Sequence, residues 1–292
     1  MKLSKQVQGI RESFLAGDLQ RDADKKAPED VIRYCDIPYG SDTVTQLTDL
    51  YIPKNAGSKK LPVIVSIHGG GWVYGSKAIY QYYCMDLARR GFAVLNFTYR
   101  LAPEYRFPAA LEDTNLVLEW LVKNAEKYNL DPQNVFAVGD SAGGNYLGLY
   151  AAFATNPAYA AKFDFTFPKE ITLKAVGLNC GFYDADGRLG RSDSLLKVAI
   201  GPRSRYTLSD MDVPSKVTAD FPPSFLMTCN QDFLLTQAPV MEETFKMIGI
   251  PYVSKVYGDD TTPLGHVFHV NVSTESAKIC NDDECEFFRS FM

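Results

Sequence analysis

Short apolar runs alternate with segments of helical length along most of the chain, and this alternation restricts the fold more than any other feature. The runs are rich in β-branched and aromatic residues, and they read LPVIVSI, FAVLNFTY, NVFAVG, LKAVGLN, SFLMTC and YVSKVY. Strands of this kind are typical of a parallel sheet that is covered on both faces. Helical spacing is found between them at residues 79–90, 107–127, 141–155, 236–247 and 274–290. The pattern predicts an α/β fold with right-handed crossovers and helices on both faces of the sheet.

Four segments lie outside this alternation. VIRYCDIPY and TQLTDLYIP alternate apolar and polar residues, which predicts two half-buried strands that form an antiparallel hairpin at a sheet edge. The first thirty residues are polar and mildly helical, and residues 183–222 are long for a plain connection and carry many charges, including Arg191 and Asp193. We therefore predict one domain over residues 1–292, with a small polar cap formed by residues 1–30 and 183–222.

Composition excludes several classes of function. Hydrophobic residues make up 46% of the 292 residues, which is enough for a sizeable core, and the net charge is -5. Because no Lys/Arg block is present, no nucleic-acid partner is expected. No apolar run is long enough for a signal-peptide core or a membrane span, so a cytoplasmic protein without a membrane partner is predicted. The six cysteines are scattered, which favours reduced thiols. The sequence leaves open whether the protein forms a homodimer.

The segment from Val135 to Gly144 joins an apolar strand directly to G-x-S-x-G and a helical pattern. Such a tight strand-to-helix turn projects the hydroxyl of Ser141 from the sheet edge, and the glycines on either side let the backbone pass close by. The N-terminus of the following helix favours an anion there. The strand, turn and helix together predict that Ser141 is a nucleophile.

A second glycine-rich turn follows the strand at residues 62–67 and reads HGGGW from His68 to Trp72. Consecutive glycines can present backbone N–H groups to the negative oxygen that develops during acyl transfer. Taken alone, this motif could equally be a flexible loop or a phosphate-binding loop. However, the chain lacks the Lys-Ser/Thr of a P-loop and the G-x-G-x-x-G of a dinucleotide site at this position.

Four segments in order resemble the hormone-sensitive lipase family of bacterial esterases, which belongs to the α/β-hydrolase superfamily. They are HGGGW, YRLAPE from Tyr99, FPAALED from Phe107 and GDSAGG from Gly139. The resemblance implies an α/β-hydrolase fold and an ester hydrolase that uses a Ser-Asp-His triad, with no metal and no organic cofactor. It also implies that the backbone N–H groups of Gly70, Gly71 and Ala142 form the oxyanion hole.

The base must be chosen among three histidines. His68 belongs to the glycine loop, and we expect its ring to brace that loop by hydrogen bonds. In an α/β-hydrolase the base follows the last strand, which ends near Tyr257, and the loop after it delivers His266. His269 comes a helical turn later and is expected to be a hydrogen-bonded structural histidine. His266 is therefore the predicted base.

The acid should follow the preceding strand, and Asp232 comes soon after SFLMTC. Asp259 and Asp260 lie on the histidine loop, where solvated turn residues are the simpler interpretation. Asp232 could alternatively cap the next helix. As the triad acid it would hold the imidazole tautomer and stabilise the imidazolium.

The chain departs from the family pattern beside both of these residues. Asp232-Phe-Leu-Leu-Thr replaces the usual D-P-L-R-D, and GHVFHV replaces H-G-F. We expect Phe233 and Val267 to change the pocket floor, and Trp72 to line the pocket because it follows the glycine loop. These three residues are the predicted substrate contacts.

Three functions are compatible with these motifs. A carboxylesterase that hydrolyses small-molecule, short-chain acyl esters is the first hypothesis, and an amidase or arylformamidase on the same fold is the second. A non-catalytic ligand-binding homologue is the third, but such proteins lose the base, which is present here as His266.

A zinc site can be drawn from His266, His269, Cys280 and Cys285, but the two cysteines diverge on a predicted helix, so no metal is predicted.

Overall fold

The computed structural model describes residues 4–189 and 194–292. The helices are α1 (Lys5–Asp22), α2 (Lys77–Arg89), α3 (Ala109–Tyr128), α4 (Ala142–Thr155), α5 (Pro157–Ala160), α6 (Ser194–Ile200), α7 (Gln237–Ile248) and α8 (Glu275–Arg289). The strands are β1 (Val31–Pro38), β2 (Leu47–Pro53), β3 (Leu61–Ile67), β4 (Ala93–Phe97), β5 (Leu130–Asp140), β6 (Leu173–Asn179), β7 (Ser224–Cys229) and β8 (Tyr252–Tyr257). The five helices predicted from the spacing begin and end within about two residues of α2, α3, α4, α7 and α8.

The eight strands form one sheet in the order β1-β2-β4-β3-β5-β6-β7-β8. The six predicted apolar strands, β3 to β8, all pair in parallel, and the β1-β2 hairpin lies at the edge with β2 antiparallel to β4. The predicted α/β sheet is therefore confirmed. The burial of the hairpin was wrong for both strands. β2 is buried rather than half-buried, because helix α2 packs against it and its other face joins the main core. β1, at the edge of the sheet, is mostly exposed.

Alternate side chains of the central strands enter two different cores, as the two-residue period of a strand requires. Val63 and Val65 of β3 belong to the core that includes residues of α3, α4 and α7, whereas Ile64 belongs to the core that includes residues of α2 and α8. Helices thus cover both faces of the sheet. None of the helices in the described ranges combines the length and apolarity that a bilayer span needs.

Helix α1 and helix α6 approach one another above the carboxyl ends of the strands. The Gln6 amide donates a hydrogen bond to the Ser194 hydroxyl at 2.8 Å. The inner side of the 183–222 segment is more apolar than its composition predicted, since Leu196, Ala199 and Ile200 are buried. Its buried acids Asp184 and Asp212 are paired with Arg188 instead of facing solvent. Arg191 and Asp193 lie outside the described residues.

Candidate active site

Ser141 is the single residue between β5, which ends at Asp140, and α4, which begins at Ala142. Its backbone angles are φ 53° and ψ -119°, a region that non-glycine residues rarely adopt. The surrounding backbone holds this conformation: the Ser141 N–H donates to the carbonyl of Asn179 at 3.0 Å, and its carbonyl accepts from the N–H of Phe182 at 3.2 Å. This is the geometry expected of a nucleophile elbow.

Gly143 allows the elbow to approach the neighbouring strand. A Cβ added at Gly143 would lie 2.1 Å from the carbonyl oxygen of Ile67 and 2.5 Å from that of His68. Both obstacles are backbone atoms at the end of β3, which cannot rotate away. The glycine therefore fixes the distance between Ser141 and the glycine loop.

We predict that Gly143→Ala lowers the free energy of unfolding by at least about 2 kcal/mol, because the methyl group overpacks this backbone contact. The measurement is urea unfolding followed by circular dichroism. Gly9→Ala is the matched control: nothing lies within 4 Å of a Cβ there, so alanine in helix α1 should leave stability unchanged or raise it slightly. Equal stability of the two variants would contradict the tight approach at Gly143.

Asp232 and His266 are joined directly, although they come from different loops. Asp232 lies beyond β7, His266 lies beyond β8, and His266 Nδ1 is 2.7 Å from Asp232 Oδ1. A parallel bridge between Gln231 and Gly265 holds the two loops side by side. The structure thus brings together the acid and base that the sequence paired.

The Asp232 carboxylate is buried and has further hydrogen bonds. Oδ1 also accepts from the N–H of Leu234 at 2.8 Å, and Oδ2 accepts from the hydroxyl of Thr228 at 3.1 Å. Burial by itself would raise the pKa of Asp232, but the hydrogen bond and charge of His266 outweigh it and hold that pKa below its ordinary value. Asp232 is therefore ionised at neutral pH and can orient the imidazole.

The glycine loop adopts backbone conformations that its sequence makes possible. Gly70 and Gly71 have φ values of 124° and 59°. A Cβ at Gly70 would lie 2.2 Å from the carbonyl oxygen of Tyr74, so both the conformation and the space require glycine. Trp72, at φ 64°, follows in the same turn, and its indole N–H donates to Asn145 Oδ1 at 3.2 Å.

His68 braces this loop, as predicted. Its ring is fully buried, stacks on Tyr99 with the ring centroids 4.0 Å apart, and its Nδ1 lies 2.8 Å from the carbonyl of Gly69. Burial lowers the pKa of His68 to about 4, so the ring is neutral and its Nδ1–H donates to Gly69. The ring is therefore a brace for the loop.

Asp140 also supports the loop. The Tyr80 hydroxyl donates to Asp140 Oδ2 at 2.6 Å and accepts from the N–H of Gly69 at 3.0 Å. Burial raises the pKa of Asp140 to about 6. This chain of contacts links the residue before Ser141 to the first glycine of the loop.

A cavity of about 450 Å³ lies where the elbow, the glycine loop and the histidine loop meet. Of the residues predicted from the sequence, its lining includes Ser141, Ala142, His266, Gly70, Gly71, Trp72, Phe233 and Val267. Asp232 lies behind His266. The ring of Phe233 is 4.3 Å from that of His266, measured between centroids.

Helix α1 supplies part of the cavity wall, and the sequence did not identify these residues. Phe14, Asp18 and Arg21 all line the cavity. The Tyr74 hydroxyl donates to Asp18 at 2.7 Å, and Arg11 donates to the carbonyl of Val73 at 2.7 Å, so the helix is anchored to the end of the glycine loop. The available signal was a set of apolar residues at helical spacing in a largely polar segment, namely Val7, Ile10, Phe14 and Leu15.

His269 differs from its prediction. It is fully buried, as a structural histidine should be, but neither of its ring nitrogens has a hydrogen-bond partner among the described residues. Burial lowers its pKa to about 3, so the ring is neutral. It packs edge-on against Tyr83 with the ring centroids 5.2 Å apart, and apolar contact takes the place of the expected hydrogen bonds.

A family model and several curated proteins match part of the chain. The family model BD-FAE matches residues 48–187. Esterase LipC of Mycobacterium tuberculosis is 35% identical over 208 residues, which are 68% of this chain and 51% of LipC. Arylacetamide deacetylase of Oryctolagus cuniculus is 40% identical over 133 residues, which are 40% of this chain and 33% of the deacetylase. The chain thus spans about half of LipC and a third of the deacetylase.

Solved structures match over nearly the whole chain. Esterase B from Lactobacillus rhamnosis superimposes with a TM-score of 0.90 at 25% identity, covering 98% of this chain and 94% of esterase B. The thermostable carboxylesterase EstE1 matches with a TM-score of 0.76 at 21% identity, covering 99% of each chain, which supports the fold alone. The predicted α/β-hydrolase fold is confirmed.

Proposed function

Because this chain belongs to the hormone-sensitive lipase family of the α/β-hydrolase superfamily, we propose that it is a serine carboxylesterase that hydrolyses short-chain acyl esters. The observation that carries the proposal is the cavity. Ser141 and the glycine loop open into the same space as His266, whose ring is held at 2.7 Å by an ionised carboxylate. The partner is a small-molecule ester. The cytoplasmic location stays a prediction from the sequence.

In the proposed mechanism, Ser141 Oγ attacks the ester carbonyl carbon while His266 takes the hydroxyl proton. Asp232 orients the imidazole through Nδ1, which leaves Nε2 for the proton transfer. The N–H groups of Gly70, Gly71 and Ala142 stabilise the oxyanion; the first two belong to the glycine loop and the third to the start of α4. Collapse of the tetrahedral intermediate breaks the ester C–O bond, and His266 gives its proton to the leaving alkoxide, which departs as the alcohol. In the second half of the reaction, His266 takes a proton from water, which attacks the acyl-enzyme, and then returns the proton to Ser141.

Short acyl groups fit this cavity best. Apolar side chains from three separate parts of the chain, Phe14, Phe182 and Leu195, wall it in. Phe182 also packs against Trp72 with the ring centroids 5.4 Å apart, next to the glycine loop. The esterase B of Lactobacillus rhamnosis has been solved with a C4-C4 tributyrin phosphonate inhibitor, which supports a butyryl-sized acyl site in a chain of the same fold.

We predict that kcat/KM for p-nitrophenyl esters rises by up to about fourfold per methylene from acetate to butyrate, because each buried methylene contributes about 0.8 kcal/mol. It should fall for acyl chains of eight carbons or more. The measurement is a series from acetate to dodecanoate below micelle-forming concentrations. Phe182→Ala should move the optimum to longer chains, whereas Phe167→Ala, outside the cavity lining, should not. An optimum at octanoate or longer in the unmodified protein would contradict the small-pocket proposal.

Amide hydrolysis is the second candidate, and the deacetylase relative favours it. The same acyl-enzyme would form, but His266 would have to protonate a more basic leaving group. Rates on p-nitrophenyl acetate, p-nitroacetanilide and N-formylkynurenine separate the alternatives. An amide or formamide with kcat/KM above that of the acetate ester would reverse the assignment.

A further inference from the structure

Two thiols and a carboxylate are grouped behind the cavity. Cys180, Cys229 and Asp232 each offer a metal-ligating atom, and these atoms all lie within 4.8 Å of one another. All three residues are buried. The zinc set drawn from the sequence, which comprised His266, His269, Cys280 and Cys285, forms no such group within the part of the chain that the structure describes.

The sheet itself brings these residues together. Cys180 directly follows β6, Cys229 ends the neighbouring parallel strand β7, and the N–H of Cys180 donates to the carbonyl of Met227 at 2.7 Å. Met227 and Cys229 are two positions apart on β7 and therefore share one face of the sheet. The thioether sulfur of Met227 lies 3.7 Å from Cys180 Sγ, which adds a third sulfur to the group.

We propose that Cys180, Cys229 and Asp232 form a binding site for a thiophilic divalent cation, such as Zn²⁺ or Cd²⁺, and that occupation of this site inhibits the enzyme. Thiolate ligands select cations of this kind over Mg²⁺ or Ca²⁺. The binding part of the proposal is independent of the proposed function, and the inhibition part rests on it.

The spacing of the ligand atoms suits a tetrahedral cation. With sulfur at about 2.3 Å and oxygen at about 2.0–2.2 Å from Zn²⁺, ligand atoms lie about 3.5–3.8 Å apart. Atoms that already lie within 4.8 Å of one another need move only a little to reach this arrangement. Binding breaks two S–H bonds, forms two sulfur–metal bonds and releases two protons, without oxidation.

Inhibition follows from the position of Asp232. Its Oδ1 accepts the hydrogen bond from His266 Nδ1 at 2.7 Å, and a cation bound to the carboxylate would neutralise its charge and compete for its oxygens. The imidazole would then lose the group that sets its tautomer. In Ser-His-Asp hydrolases, loss of that function costs about 10⁴-fold in kcat. Because the thiols are buried, we expect inhibition to develop slowly after mixing.

The test uses Cd²⁺ as the probe and Cys35→Ser as the background, because Cys35 is exposed and could bind cations at the surface. We expect Cd²⁺ to bind with a stoichiometry of one and to produce the ultraviolet charge-transfer band of a thiolate–cadmium complex. Hydrolysis of p-nitrophenyl acetate should fall at least about tenfold at saturation, and a chelator should restore it. Each rate is compared with the metal-free rate of the same variant.

Cys229→Ala and Cys180→Ser should each lose the band and the sensitivity to Cd²⁺. Cys280→Ala is the matched control, because Cys280 is also buried in the same apolar cluster but does not belong to the group, and it should keep both. A band that survives in both Cys229→Ala and Cys180→Ser would overturn the site, and a full band without inhibition would overturn its effect on Asp232. If the protein hydrolyses no ester, the band still reports on the site, so the two proposals fail separately.

Discussion

Replacement of Ser141 by alanine should abolish covalent labelling by a fluorophosphonate and lower kcat for p-nitrophenyl acetate by about 10⁴-fold or more. The reason is that the Ser141 backbone, at φ 53°, forms the elbow, and its side chain lines the same cavity as His266. The substitution removes the hydroxyl that would react. Intact mass measurement should show one label on the unmodified protein and none on Ser141→Ala.

Ser13→Ala is the matched control, because Ser13 also lines the cavity but lies on helix α1 and has no part in the proposed chemistry. It should keep the label and a rate within about tenfold of the unmodified protein. Labelling that persists in Ser141→Ala would remove Ser141 as the nucleophile. A protein that takes no label at all would instead support the non-catalytic, ligand-binding alternative.

The sequence predicted the parts of the structure that depend on local pattern. The six parallel strands, the elbow at Ser141 and the glycine loop at Gly70 each follow from a few consecutive residues whose conformation or burial is determined nearby. The order of acid and base along the chain could be predicted for the same reason, since each follows a recognisable strand. Their 2.7 Å contact required the fold, which aligns the two loops through the Gln231–Gly265 bridge.

The sequence predicted that residues 1–30 form part of a cap, but it did not predict which residues of helix α1 line the cavity. Phe14 reaches the cavity because Arg11 and Asp18 attach the helix to residues around the glycine loop, some sixty positions away along the chain. Neither pair leaves a periodic signal in the sequence. The packing of the 183–222 segment could not be predicted for a related reason. Its composition shows how many charged residues it contains, but not whether they face solvent or pair with one another, as Asp212 does with Arg188.

The distinction between the two neighbouring histidines rests on what surrounds each ring. His266 lines the cavity and has Asp232 on its Nδ1. His269 is fully buried, does not line the cavity, and has no hydrogen-bond partner among the described residues. Burial lowers the pKa of His269 to about 3, so it would be a poor acceptor of the serine proton even if it could reach it.

We therefore predict that His266→Ala lowers kcat at least about a thousandfold, whereas His269→Ala lowers it less than about tenfold. In the proposed mechanism, His266 takes the proton from Ser141 and gives it to the leaving alkoxide, so its loss removes an interaction that is made in the transition state. Loss of the His269 ring leaves a cavity beside Tyr83 and should lower the melting temperature more than the rate. The measurements are kcat on p-nitrophenyl acetate and thermal unfolding of both variants. If His269→Ala were the slower enzyme while still folded, the base would have to be reassigned to His269, and the loop after β8 would have to rearrange before it could reach the nucleophile.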